Sequence, residues 1–466
     1  MLNVAPKLRP SLDPSFVPAA LWHRAYASLV AQDPAARPIA LVLVRTDGSV
    51  FRHDGRVLSA GHPAAALTLT YAERLVKFLL WMKGGPQVLV AGAPEMAAAL
   101  AKIYAPGGVR AFDYDFMGEK IFGRQFSVEA VTFEALPAVA ETSLPMGRHL
   151  EGCRIGFDLG GSDRKAAALI DGQVVFSEEI AWDPYFQQDP SYHLEGVHDS
   201  LKRAAAHLPR VDAIGGSAAG VYVNNEVRAA SLFRGVPADQ FDKHIRRMFF
   251  TLQERWGGIP FEVVNDGEVT ALAGSMSMED NAVLGVSMGT SQAGGYVTPA
   301  GNITSWLNEL AFAPIDYRPD APRDEWSGDI GCGVQYFSQQ GVGRLAAKAG
   351  FNFPATLPLP EQLIEVQHAM KAGDARARAI YESIGVCFGY AIAHYADFYE
   401  VRNLLVLGRV TSGEGGEIIL ERAAAVLRAE FPALAETIRL RTPDEKNKRH
   451  GQATAAASLP ALPRKS

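Results

Sequence analysis

Two short segments of this chain carry the residue types that hold a phosphate. The first runs Ile155-Gly156-Phe157-Asp158-Leu159-Gly160-Gly161-Ser162-Asp163-Arg164-Lys165, a strand, a glycine bend, a hydroxyl and a base. With the run Ala166 to Ile170 and the turn Asp171-Gly172 behind it, it reads as a β-hairpin. Its tight loop offers bare N–H groups, Ser162 and Lys165 to a phosphate, and Asp158 is placed to hold a metal. The second segment, Leu284 to Val297, brings Gly289 and Thr290 into a small-residue turn between two further strands. Each loop taken singly is more often an ordinary hairpin. Two of them in one chain predict a nucleotide held between two lobes.

A third segment places a carboxylate. Phe261 to Val264 reads as a strand that ends at Asn265-Asp266, where a helix begins, so the carboxylate stands at a strand end facing a cleft. The simpler duty for Asp266 is to cap that helix together with Glu268. Near the C-terminus, Leu405 to Gly413 reads as a strand and glycine-rich turn feeding a helix, and small residues there let backbone approach another group closely.

These segments need elements to position them, and the chain is long enough for two or three domains at 466 residues. Residues 1–145 form an α/β region: a helix Ala19 to Gln32, a buried strand Ile39 to Val44, a helix Tyr71 to Met82 with apolar spacing at Leu75, Phe78, Leu79 and Met82, a strand Gln87 to Ala91 and a helix Pro94 to Tyr104. Residues 146–153 are the linker. Residues 154–264 form a first lobe with a helix near Tyr192 to His207, a strand Val211 to Gly215 and a turn Ser217 to Gly220, and 265–466 form a second lobe with a helical region from about Leu359 to Glu400.

Composition excludes several classes. A net charge of -6 gives no general reason to bind nucleic acid. Cys153, Cys332 and Cys387 form no C-x-x-C pair, so neither a disulfide framework nor a cysteine-built zinc site is supported, and a reducing cytoplasm fits. The prolines at 6, 10, 14 and 18 interrupt the start, and no apolar run reaches membrane-spanning length.

In this order the segments resemble the actin-like ATPase and sugar-kinase superfamily and, within it, the bacterial ROK group (repressors, open reading frames and sugar kinases), over roughly residues 154–460. DLGGSDRK at 158–165 resembles the group's DLGGT phosphate motif with Ser162 for threonine, and IGGSAAGVYV at 214–223 resembles the segment closing the first lobe's sheet. VVNDGEVTALAG at 263–274 is similar to NDANAAALGE, and LGVSMGTSQAGGYV at 284–297 to GTGIGGG. Leu405 to Gly413 resembles the adenosine motif, with Arg409 where a second glycine is usual.

The resemblance implies two actin-like (ribonuclease H-like) lobes around a central cleft, with the N-terminal α/β region as an extension. It implies an ATP- and Mg2+-dependent kinase of a sugar or polyol hydroxyl. Asp266 would be the general base, Asp158 would organise Mg2+ through water, and Gly160, Gly161, Ser162, Lys165, Gly289, Thr290, Gly408, Ser412 and Gly413 would hold the nucleotide. Asn265, Glu309 and Gln335 would contact the acceptor. A homodimer is compatible with it.

The sequence departs from the group's sugar and zinc motifs. Glu309 keeps the glutamate of GEIGH while Phe312 replaces its histidine, and GCGVQ at 331–335 keeps one cysteine of the zinc set with Gln335 for the glutamate of GCLE. No zinc is expected, and packing by Trp306, Phe312, Trp326, Tyr336 and Phe337 is expected to hold that region instead. Two other readings fit the same fold: a nucleotide- or sugar-binding protein without phosphotransfer, and a ROK-type transcriptional regulator. The regulator needs a basic recognition helix near the N-terminus, whereas the early helix Ala19 to Gln32 has one arginine.

Overall fold

The computed structural model describes residues 2, 4–140, 146–442 and 451–463. The N-terminal region is built on a sheet in the order β2-β1-β3-β4. Strand β1 (Arg37–Val44) runs antiparallel to β2 (Val50–Val57) and to β3 (Gln87–Ala91), and β4 (Ser127–Val131) is parallel to β3. Its helices α1 (Ala19–Gln32) and α2 (Leu67–Met82) do more than cover this sheet. Phe16, Ala20, Phe78 and Met82 share one apolar cluster with Tyr336, Phe337, Ile384 and Tyr390 of the second lobe.

Helix α2 shows what that docking demands. Leu75, Phe78, Leu79 and Met82 are buried as their spacing predicts, but so are Arg74 and Lys77, which a surface helix would leave in water. The far side of α2 faces the second lobe. The region is therefore wedged in, and only the start of this helix, at Leu69 and Thr70, is exposed.

The first lobe carries a five-stranded sheet in the order β11-β8-β5-β6-β7, made of β5 (Cys153–Leu159), β6 (Asp163–Ile170), β7 (Gln173–Ala181), β8 (Ala213–Ala218) and β11 (Phe261–Asn265). β5, β8 and β11 are parallel, and β5-β6-β7 is an antiparallel meander. Helix α3 (Pro190–Ala205) covers it, and a small hairpin, β9 (Val221–Val223) and β10 (Glu226–Ala229), follows β8. Ser217 and Ala218, read from sequence as turn, extend β8, because pairing with β5 on one side and β11 on the other satisfies their backbone.

Helix α4 (Asp266–Met278) leads into the second lobe, whose sheet β13-β12-β14-β15 comprises β12 (Val283–Met288), β13 (Gln292–Val297), β14 (Asn403–Leu407) and β15 (Arg439–Arg441). The long helical region is two helices, α5 (Leu359–Lys371) and α6 (Ala375–Ala396), separated where Gly373 takes φ +77°. A further helix, α7 (Glu414–Glu430), follows β14.

The last helix, α8 (Gly451–Ala457), leaves the second lobe and lies on the first lobe's sheet. A methyl at Gly156 or Gly215 would fall 1.8 Å from the Ala453 carbonyl oxygen or 1.7 Å from that of Ala456, so glycine is what lets the helix approach. Fully buried Arg154 donates to the Ala457 and Pro460 carbonyls. The three cysteines are free and buried: Cys153 on β5, Cys332 beside α2, Cys387 inside α6.

Candidate active site

Parallel pairing sets the floor of the cleft. The β5–β8 register puts Asp158 directly opposite Ser217, and Ser217 Oγ donates to Asp158 Oδ1 at 2.7 Å. Lys165 Nζ stands 3.9 Å from Asp158 Oδ2 and 3.2 Å from Asp163 Oδ1. Burial raises the Asp158 pKa against the opposing pull of Ser217 and Lys165.

The next strand delivers Asp266. β11 ends at Asn265, whose side chain accepts the Gly267 N–H at 2.7 Å and donates to the Gly220 carbonyl at 2.7 Å. Asn265 is thus the helix cap of α4, and it ties the cleft floor to the β8–β9 turn. Asp266 shares the Gly267 N–H through Oδ1 at 3.0 Å but stays partly exposed, with no cation paired to it among the described residues. Burial, then the charge of Asp158, pushes it up to about 6.

Two glutamates complete an acidic group. Buried Glu268 accepts from Asn308 Nδ2 and from the Tyr296 N–H at 3.2 Å, and burial carries it to about 8. Tyr399 donates to Asn308 Oδ1 at 2.8 Å, so the Asn308 side chain is clamped at both ends while its backbone holds φ +51°. Glu309 follows, partly exposed and pushed to about 7 by burial and by Asp266. Sequence reasoning missed Ser217, Glu268 and the Asn308–Tyr399 clamp. Of these only Ser217 had a signal, its place at the end of a strand parallel to β5.

Gln335 and Phe312 are turned to other duties. Gln335 Nε2 donates to Gln340 Oε1 at 2.7 Å. The Phe312 ring centroid lies 4.2 Å from that of Trp81 and 5.5 Å from that of Phe112, among the aromatics of the N-terminal region.

The loops expected to hold phosphate lie at strand ends. In the β5–β6 turn the Gly160 N–H donates to the Asp163 carbonyl at 3.0 Å and Trp182 Nε1 donates to the Gly160 carbonyl at 2.8 Å. In the β12–β13 turn Thr290 and Ser291 are exposed. Gly408, at φ +105°, has room only for hydrogen, since a methyl would fall 2.4 Å from the Met288 carbonyl oxygen. This brings the β14–α7 turn, with Ser412 and Gly413 exposed, alongside the β12–β13 turn. Arg409 is exposed and its carbonyl accepts from Gln367.

Of the aromatics expected to hold this region, Tyr336 and Phe337 are buried in the second lobe's core, Trp306 stacks on Tyr296 and Phe312 packs on Trp81, and a buried charge cluster stands beside them. Asp329 meets Arg74 at 3.1 Å, Lys77 at 3.4 Å, and Arg110. Lys77 also sits 2.9 Å from Asp113, and Arg74 sits 2.6 Å from Glu73. Three cations and three carboxylates thus close on one another under cover, beside Cys332. Trp326 contributes nothing to that packing, being 69% exposed. No group of three or more potential metal ligands occurs among the described residues.

No family model and no curated protein matches the sequence. In three dimensions the chain is similar to the ROK hexokinase from Thermus thermophilus, with TM-score 0.52 and 19% identity over 66% of this chain and 97% of that one. It is similar to the same degree to a ROK family transcriptional regulator, a homolog of the E. coli MLC protein, with TM-score 0.53 and 19% identity over 67% of this chain and 79% of that one. The chain has the two-lobed, actin-like ATPase fold of ROK proteins. Kinase and regulator share that fold, so the site must decide between them.

Proposed function

We propose that this protein is an ATP-dependent kinase of a sugar or polyol hydroxyl, with Asp266 as general base. The observation that carries the reading is that Asn265 takes over the capping of α4, leaving Asp266 with no cation paired to it among the described residues and raised to about 6 at the cleft floor. In the transfer, the acceptor hydroxyl gives its proton to Asp266 as its oxygen bonds to the γ-phosphorus, and the bond to the ADP oxygen breaks. The glycine turns at 160–161, 289 and 408–413 hold phosphates and adenosine.

Mg2+ would fit beside Asp158, whose carboxylate accepts from Ser217 and has Lys165 as an ion-pair partner at 3.9 Å; bound there through water, it would neutralise charge on the phosphates. Asp266 and Glu309 have no Lys or Arg in ion-pair contact among the described residues, which favours a neutral acceptor over an anionic one. The regulator reading loses support because α1 is followed by strand β1 and not by a second helix.

The test is ADP release by purified protein across a sugar and polyol panel with Mg2+ and ATP, alongside Asp266→Asn. A binding-only protein is the reading that Phe312 and Gln335 favour, since Phe312 packs on Trp81 and the Gln335 amide donates to Gln340. It expects nucleotide binding with no acceptor-dependent ADP release.

A further inference from the structure

The C-terminal end of α2 belongs to the N-terminal region, yet it holds the segment that presents Glu309. The last carbonyls of a helix have no partner within it. Here those of Trp81 and Met82 accept the N–H groups of Glu309 and Asn308, at 2.9 Å and 3.0 Å. The axial position of α2 therefore sets where Glu309 stands relative to Asp266.

That position is fixed in turn by charge. Asp113 accepts from Lys77 Nζ at 2.9 Å and from the Trp81 indole N–H at 2.6 Å, and Lys77 also reaches Asp329 at 3.4 Å. Lys77 and Trp81 lie one turn apart on the same face. An unbroken line of contacts thus runs from Asp329 through Lys77, Asp113 and Trp81 to the backbone of Glu309.

The same region reaches the first lobe. Val221 and Val223 of β9 pack on the apolar cluster that contains Trp81, Phe122 and Phe126. Between them in sequence Tyr222 packs against the first lobe's own core, close enough to Asp266 to feel its charge. One end of the cleft is therefore walled by the N-terminal region from Glu309 on one lobe to β9 on the other.

We propose that the N-terminal region is part of the acceptor site, with Lys77 and Trp81 as positioning residues that aim Glu309 at the acceptor. This rests on the kinase reading above. The variant Trp81→Phe keeps an aromatic ring beside Phe312 while removing the indole donor and part of the ring system, and Lys77→Met removes the cation. Acceptor KM should rise about tenfold in Trp81→Phe, the worth of one buried hydrogen bond, while ATP KM stays unchanged, and Lys77→Met should do more. Leu41→Ala, in the core of the same region but away from α2's end, should lower thermal stability and leave acceptor KM unchanged.

Hydrogen exchange at the Asn308 and Glu309 amides is the readout that needs no phosphotransfer. Both should exchange faster in Trp81→Phe than in the parent or in Leu41→Ala. Unchanged exchange there, or an acceptor KM that moves equally in Leu41→Ala, overturns the positioning role even if Lys77→Met does not fold. Faster exchange in a protein that phosphorylates nothing keeps the positioning role and sinks the kinase reading.

Discussion

The buried ionisable side chains around α2 and those in the cleft are treated in opposite ways. Around α2, Arg74, Lys77 and Arg110 neutralise Glu73, Asp113 and Asp329. In the cleft, of Asp158, Asp266, Glu268 and Glu309 only Asp158 has an ion-pair partner among the described residues, Lys165. Neutralised charge fixes geometry, and it is costly to break because the surviving partner is left buried and alone. Uncompensated charge is held near the point of taking up a proton. In the proposal above, the first group holds the Asn308–Glu309 segment still, and Glu309 of the second group is what that segment presents to a ligand.

The sharpest way to break this comparison is Asp266→Asn. Turnover should fall by roughly two to four orders of magnitude, the usual worth of general-base catalysis, with affinity for a non-hydrolysable ATP analogue retained. Thermal stability should hold or rise, since one of the repelling carboxylates is gone. Full turnover in that variant would remove Asp266 from the mechanism.

The opposite outcome is expected around α2. Asp329→Asn should cost about 3–5 kcal/mol in denaturant unfolding, as does the loss of one partner of a buried pair. A loss within the range of a surface pair, about 0–1 kcal/mol, would mean that the cluster does not hold the region in place.

The pH dependence separates the cleft by sign from another buried site, the one around Asp13. Asp266 and Glu309 are raised to about 6 and about 7, so the folded protein keeps protons that the unfolded chain releases near pH 4. Their contribution to stability is fully present below the unfolded values and is lost as pH rises through the folded ones. Glu309→Gln should flatten that decline between pH 4.5 and about 7 in a series of thermal melts. Asp13, paired with Arg318, Arg344 and Lys348, runs the other way. Burial alone would raise it, but the three cations hold it at about 2, so its contribution is present above pH 3.8 and is lost as pH falls through 2. Activity should follow the cleft, with kcat/KM declining below about pH 6 as Asp266 takes up its proton. The smallest effect concerns zinc. Elemental analysis should find no stoichiometric zinc, and a chelator should inhibit only until Mg2+ is restored; one tightly held zinc per chain would assign the loop at 322–335 a different role.

Much of the cleft was legible because its signals are local. A strand ending in Asn265-Asp266, and glycines at 160, 161, 289 and 408, announce themselves within a few residues. What was not legible depends on distant contacts. Arg74 and Lys77 look like ordinary exposed positions of an amphipathic helix until Asp329, about 250 residues on, arrives to neutralise them. Phe312 reads as a lost sugar contact, and its reason appears only with Trp81 and Phe112 against it. Asn265 was expected to hold an acceptor hydroxyl, but a single sequence does not reveal that Gly220 and Gly267 already engage it. The return of α8 to the first lobe was equally hidden, because bare faces at Gly156 and Gly215 look like weak strand positions until a helix lies on them.

The three buried cysteines turn this architecture into its own recorder. A thiol reacts as the exposed thiolate, and each of these lies in a different part of the molecule: Cys153 under the first lobe, Cys387 within α6, Cys332 against the α2 cluster, where burial pushes its thiol up. An alkylating reagent therefore samples three separate openings in one chain. The order in which the three become labelled gives the order in which the parts come apart, and labelling of Cys332 ahead of the others would date the release of the N-terminal region without any introduced probe.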